Sequence, residues 1–162
     1  MSLDFLNIHP LLKRYDIHPK KSLGQNFLVE PAGLTRAINA AELSGKEEVL
    51  EIGAGLGSLT YLLAQTCASV TAVEIDPRML APLSEALKPF ANVRIVQGDI
   101  LELDPASLVS QENYVVVANI PYYITSAIIR RLLEANPKPS RVIQKKKKEV
   151  AQRITARDGK MS

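Results

Sequence analysis

Apolar positions fall in two rhythms along the chain. Between residues 49 and 135, short runs that are apolar at most positions alternate with stretches in which Leu, Ile or Met recur every three or four residues. The runs Val49-Leu50-Glu51-Ile52-Gly53, 70–75, Val93-Arg94-Ile95-Val96-Gln97 and 114–120 read as buried strands. Between them, 58–66 carries Leu59, Leu62 and Leu63 on one helical face, and Met79, Leu80, Leu83 and Leu87 form a second stripe crossed by Pro82. Asp76-Pro77 has the form of an N-cap followed by Pro at the first helical position. A last helix spans 126–135 with Ile128, Ile129, Leu132 and Leu133, and Pro31 opens an earlier one reaching about Ala41. Residues 1–21 mix short apolar pairs with His, Pro and charge and read as an arm with room for one short helix.

Strands alternating with helices predict an α/β protein with a mainly parallel sheet covered on both faces. Right-handed crossovers make that sheet Rossmann-like and doubly wound, here incomplete, with about four to five strands.

A length of 162 residues with 46% hydrophobic positions suits one domain with a substantial core and excludes collagen-like and disordered classes. The single Cys67 rules out an intrachain disulfide framework. No apolar stretch approaches the roughly 20 residues that span a bilayer, and residues 1–10 lack a signal-peptide pattern. The expectation is a soluble, cytoplasmic protein with no membrane contact. Lys145, Lys146, Lys147 and Lys148 take the net charge from −1 to +3, so the basic balance is one local cluster, not a basic surface.

The candidate chemistry lies where the strands end. Gly53-Ala54-Gly55-Leu56-Gly57 joins the first strand to a helix, where glycines permit a tight turn and close ligand approach. By itself such a turn also serves plain packing. Glu74 follows about twenty residues on, where a carboxylate can accept from both hydroxyls of a ribose. Asp99 ends the third strand on the same edge of the sheet and can accept from an adenine amino group. The third glycine comes one position early for a dinucleotide fingerprint, and Glu51 would repel a pyrophosphate if it faced the site. A ligand with a cationic centre and an amino-acid end, such as S-adenosylmethionine, suits an acidic rim better. Asn119-Ile120-Pro121-Tyr122 closes the fourth strand, either as a polar terminus with a stiff turn or as a functional segment.

Five segments in order, Leu23-Gly24-Gln25-Asn26-Phe27-Leu28, Glu51-Ile52-Gly53-Ala54-Gly55, Glu74-Ile75-Asp76, Gly98-Asp99 and Asn119-Ile120-Pro121-Tyr122-Tyr123, resemble the rRNA adenine N6,N6-dimethyltransferases. The likeness covers roughly residues 19–133. Leu-Gly before Gln25 and Tyr-Tyr after Pro121 resemble the small-subunit branch more than the large-subunit methyltransferases. The resemblance implies a fold of the S-adenosylmethionine-dependent methyltransferase type, that cofactor, and small-subunit rRNA or the pre-ribosomal small subunit as partner. It implies that Gln25, Asn26 and Leu28 close over the methionine end and that Gly53 and Gly55 lie beneath it. Glu74 would hold the ribose, Asp99 and Ile100 the adenine. Asn119, also beside the cofactor, and Pro121 would hold the target amino group, with Tyr122 stacking on the flipped base.

An exocyclic adenine amine is a poor nucleophile because its lone pair is delocalised into the ring. Acceptors on its two hydrogens, the Asn119 side-chain oxygen and the Ile120 or Pro121 carbonyl, stabilise the charge that develops on nitrogen. Tyr122 would fix the extruded base and face the sulfonium as a π partner. No metal is required, and His9 and His18 lie in the arm. Lys20, Lys21 and Tyr123 are candidate RNA contacts, alongside Arg14 and His18; a solvated charged arm accounts for the same residues.

The chain also departs from the family, which continues well beyond Ser162 into a helical C-terminal domain. The expected division is an arm, 1–21, and a shortened cofactor-binding core, 22–162. Glu149-Val150-Ala151-Gln152-Arg153-Ile154 matches a family helix, but the preceding segment has Arg141-Val142-Ile143-Gln144 and four lysines in place of an apolar fifth strand. Four lysines cannot occupy a buried strand. They either blunt a sheet edge, leaving a monomer or an edge-paired dimer, or form a nucleic-acid patch. The alternatives to a methyltransferase of this branch are a non-catalytic scaffold that binds the cofactor or nucleic acid, and a large-subunit rRNA enzyme.

Overall fold

The computed structural model describes residues 2–20, 30–120, 124–145 and 151–155. Five short strands are parallel: β1 (Glu48–Ile52), β2 (Ser69–Glu74), β3 (Val93–Gln97), β4 (Val115–Ala118) and β5 (Arg141–Lys145). A sixth, β6 (Ala151–Thr155), runs antiparallel to β5, and the order across the sheet is β3-β2-β1-β4-β5-β6. The order reverses between β1 and β4, the switch point at which open α/β sheets bind ligands beyond the strands' carboxyl ends.

Among the described residues five α-helices complete the fold: α1 (His9–Tyr15), α2 (Pro31–Ala41), α3 (Ser58–Ala64), α4 (Leu80–Ala86) and α5 (Thr125–Glu134). Alternation along each strand splits the core in two. Val49, Val70, Ala72, Val115, Val117 and Ile143 face one side and pack with Leu34, Ala37 and Ile38 of α2, Leu59, Leu62 and Leu63 of α3, and Leu83 of α4. Leu50, Ile52, Val73, Val116, Ala118 and Val142 face the other and pack with Ile128, Ile129 and Leu132 of α5. Both faces are covered, which is why the strands carry so few polar positions. Pro82 falls in the first turn of α4, where a backbone N–H has no intrahelical acceptor, so the stripe it crosses remains helical.

The arm packs onto the sheet domain. Leu11 of α1 enters the first core, while Ile8 and Ile17 join Leu56 and Met79 in a third cluster. Leu56 belongs to the glycine turn, so the arm buttresses that turn from outside. The Arg78 guanidinium adds a polar tie, donating to the His18 carbonyl at 3.2 Å.

Two expectations for the last part of the chain are corrected. A fifth apolar strand does form, because it ends as the lysine run begins: Val142 and Ile143 are buried, and Lys145 is the last paired residue of β5. The segment expected to continue as a helix instead contributes β6, which supplies partners for the outer backbone groups of β5. Among the described residues the outer strand on this side is therefore β6, and Lys145 lies inside the paired sheet. Lys146, Lys147 and Lys148 fall outside the described residues. The sheet thus has six strands where four to five were expected.

Candidate active site at the carboxyl edge of the sheet

Parallel pairing brings the ends of β1 to β4 to one edge, and the chain is stitched along it by backbone hydrogen bonds. Gly53 N–H donates to the Val73 carbonyl (2.9 Å), Asn119 N–H to Ile52 (2.9 Å) and Gly98 N–H to Glu74 (2.9 Å). Gly53, Glu74, Asp99 and Asn119 therefore end successive strands of one surface, as their sequence positions implied.

Gly53 has φ +85°, and a Cβ built on it would lie 2.5 Å from the Asn119 carbonyl oxygen and 2.7 Å from Ile120 Cγ2. The first turn residue and the fourth strand's end touch only because no side chain intervenes. Gly55, at φ +58°, faces open space, a cradle that a Cβ would partly fill.

Glu74 joins these parts. Its Oε1 accepts the Gly55 N–H at 2.7 Å and its Oε2 accepts the Asp76 N–H at 2.9 Å. The side chain is only 5% exposed, and burial raises its pKa despite both hydrogen bonds. A carboxylate offers about four lone-pair sites, so acceptor capacity remains for a hydroxyl donor. Asp99 is half-buried, with Oδ1 accepting the Leu101 N–H at 2.9 Å, and Ile100 turns inward to the second core. The Asn119 side-chain amide has no hydrogen-bond partner among the described residues.

Glu51 does not face this rim. Its carboxyl is fully buried beneath α3, where Oε1 accepts the Thr60 hydroxyl proton and Oε2 has no partner among the described residues. Burial pushes its pKa up to about 7, with the nearby Glu74 charge adding to the rise. The rim's acidity thus comes from Glu74 and Asp99, and repulsion by Glu51 has no part in choosing the ligand.

Gln25, Asn26, Leu28 and Lys21, together with Pro121, Tyr122 and Tyr123, lie outside the described residues. Lys20 is exposed at the end of the arm. Two residues at the rim were missed in the sequence: Ile75 and Leu101, 46% and 40% exposed, present apolar surface just past Glu74 and Asp99. Their signal was an apolar residue one or two positions after a strand-end carboxylate, Ile75 after Glu74 and Leu101 after Asp99. Thr60 and Arg131 carried no such signal, being a hydroxyl and a charge on otherwise ordinary helices.

A separate groove of about 390 Å³ opens at the opposite edge, where the strands begin, lined by Glu48, Thr71, Asn92, Arg94, Ser107 and Ser110. It exists because the β3–β4 connection crosses this part of the sheet with only a short 3₁₀ turn, Pro105–Ser107. It shares no residue with the carboxyl rim.

The β3-β2-β1-β4-β5 order and the glycine turn beside two strand-end carboxylates define a Rossmann-like domain of the methyltransferase type. Residues 17–162 match the family model described as ribosomal RNA adenine dimethylase, and the chain belongs to that family. It is 40% identical over 152 residues to ribosomal RNA small subunit methyltransferase A of Dehalococcoides mccartyi, covering 93% of this chain and 52% of that one. The protein of the same name from Bacillus pumilus is 43% identical, with 90% and 52% covered. The chain thus spans about half the length of the curated relatives it matches. Among solved structures, the 23S rRNA methyltransferase ErmE superposes with a TM-score of 0.65 at 37% identity, covering 74% of this chain and 47% of that one. A dimethyladenosine transferase from Plasmodium falciparum gives 0.64 at 30% identity, with 74% and 42% covered.

Proposed function

We propose that this chain is the cofactor-binding and catalytic core of an rRNA adenine N6,N6-dimethyltransferase acting on small-subunit rRNA in the cytoplasm. In this reading residues 22–162 form the core and 1–21 the arm. The observation that carries it is the close approach of Gly53 to the Asn119 carbonyl, which brings the glycine turn and Asn119, whose side-chain amide has no partner among the described residues, to adjoining strand ends. The names of the relatives, small-subunit and dimethyladenosine enzymes among them, support the substrate class.

The residues at the rim fit S-adenosylmethionine. Open space at Gly55, spare lone pairs on the Glu74 carboxylate and apolar Ile75 and Leu101 beside Asp99 match a chain, a ribose and a purine in that order. When bound, S-adenosylmethionine supplies the electrophilic sulfonium methyl. Glu74 would hold the ribose hydroxyls, and Asp99 with Ile100 the adenine. The Asn119 side-chain oxygen and the Ile120 carbonyl accept the two hydrogens of the target amine, so its lone pair is directed out of the ring plane and developing positive charge is stabilised. Gln25, Asn26 and Leu28 would cover the methionine end, Pro121 would shape the amine pocket, and Tyr122 would hold the flipped base. Lys20, Lys21 and Tyr123 are the proposed RNA contacts.

Calorimetry with S-adenosylmethionine, run beside methyl transfer to a small-subunit rRNA hairpin, tests this reading. Binding with transfer to adenine N6 is the expected result. Binding without turnover would instead support a non-catalytic scaffold. Failure to bind the cofactor would overturn both.

A further inference from the structure

Resting on that reading of the rim, we propose that Arg131 is a positioning residue that sets adenine recognition by holding the turn on which Asp99 sits. The turn is defined on its inner side by its own hydrogen bonds. The Asp99 carbonyl accepts the N–H groups of Glu102 (2.9 Å) and Leu103 (3.0 Å), and Asp99 Oδ1 accepts that of Leu101. One turn of this kind leaves its later carbonyls without intrachain donors. Among the described residues, no backbone N–H reaches the carbonyl of Ile100 or Leu103.

Arg131 reaches both. Its Nε donates to the Ile100 carbonyl at 3.1 Å and its Nη2 to the Leu103 carbonyl at 2.5 Å. A planar guanidinium spans two acceptors in a fixed relation, which an ammonium on a flexible stem does not. The fork therefore fixes the backbone on either side of Leu101, the exposed apolar residue at the rim, and one residue beyond Asp99. With Ile100 buried in the second core, the turn is held from below by packing and from the flank by charge.

The location of Arg131 gives this contact a functional direction. It lies on α5, which begins at Thr125 just after the segment that follows Asn119, and Ile128, Ile129 and Leu132 seat that helix on the sheet. The purine-facing turn is thereby referenced to the element that follows the amine-binding segment. In the proposed reading Asp99 accepts the purine C6 amino group, so a shift of its turn degrades recognition of that group before it degrades binding of the rest of the molecule.

The test compares affinities for S-adenosylhomocysteine and its purine-riboside analogue, in which hydrogen replaces the C6 amino group and N1 is unchanged, by calorimetry on the full chain. The unmodified protein should prefer the adenine ligand by about tenfold or more, the scale of one hydrogen bond to a charged acceptor. Arg131→Met, which keeps the apolar stem, should bring the ratio towards one. Arg131→Lys, which restores charge without the fork, should give an intermediate ratio. If Arg131→Met weakens both ligands equally and leaves the ratio intact, the residue only supports the fold and the proposal is overturned. If Arg131→Met does not fold, the lysine variant decides alone, since an unchanged ratio there also overturns it. An unmodified protein that binds neither ligand would sink the cofactor reading itself, an outcome distinct from a retained ratio.

Discussion

The Glu74 carboxylate accepts the backbone N–H of Gly55 at 2.7 Å, so the end of β2 and the turn after β1 are one hydrogen-bonded unit. Glu74 thus holds the turn, and under the proposed function it would also offer acceptors to a ribose. Glu74→Ala removes both, and the affinity for S-adenosylhomocysteine should fall about 10- to 100-fold, the range for a hydrogen bond to a charged group. Asn119→Ala should leave that affinity within a few-fold while abolishing methyl transfer. Equal losses of affinity in both variants, read by calorimetry, would contradict this division of roles.

The two glycines of the turn should respond differently to the same methyl group. Gly53→Ala places a Cβ against the Asn119 carbonyl at a positive φ and should destabilise the fold by at least ~2 kcal/mol, measured by urea unfolding. Gly55→Ala meets no atom of the described residues and should cost only about 1 kcal/mol for its backbone conformation. It should nevertheless weaken cofactor binding, because the added methyl projects into the open cradle.

Buried Glu51 makes stability depend on pH in a direction opposite to that of a salt-bridged carboxylate. Folded, it keeps its proton to about pH 7; unfolded, it loses it near 4.5. Between these values the folded state binds more protons, so the Glu51 contribution falls as pH rises, by up to about 3 kcal/mol, and is flat above pH 7. Burial raises the Glu74 pKa as well, which adds in the same direction. Glu51→Gln retains an acceptor for the Thr60 hydroxyl and cannot ionise, so its stability relative to the unmodified protein should increase from pH 4.5 to 7. Urea midpoints across that range check this, and a difference independent of pH would show that Glu51 does not titrate there.

Gln144, at the end of β5, donates to Thr125 Oγ1 at 2.7 Å, with both side chains buried. This pair fastens the first turn of α5 to the sheet beside Asn119. Gln144→Leu should lower stability by about 1–2 kcal/mol through loss of the donor. It should also slow methyl transfer more than it weakens cofactor binding, because the segment after Asn119 loses an anchor. Parallel measurement of Tm, cofactor affinity and turnover would separate these effects.

Much of this architecture is legible locally. The apolar runs, the cap at Asp76-Pro77 and the glycine turn place β1 to β4 and their helices, because burial on both faces forces a pattern that short windows reveal. Chain order then brings Gly53, Glu74, Asp99 and Asn119 to one edge, since parallel strands joined by right-handed crossovers end on the same side. Glu51 shows where local reading stops. An acidic residue beside a glycine turn reads as part of the rim, yet strand alternation directs it beneath α3, where Thr60 waits nine residues later. The end of the chain shows the same limit. Lysines weigh against a strand, but pairing with β4 on one side and β6 on the other stabilises β5 up to Lys145.

The sequence by itself determined the sheet's polarity and which residues end its strands at the carboxyl edge, because both follow from local pattern and chain order. Only the tertiary structure decided which carboxylates face the rim, what covers β5, and that Arg131 braces the turn after Asp99. Those depend on contacts between segments distant in sequence, where the side of a strand or the reach of a guanidinium is set by packing and not by local pattern.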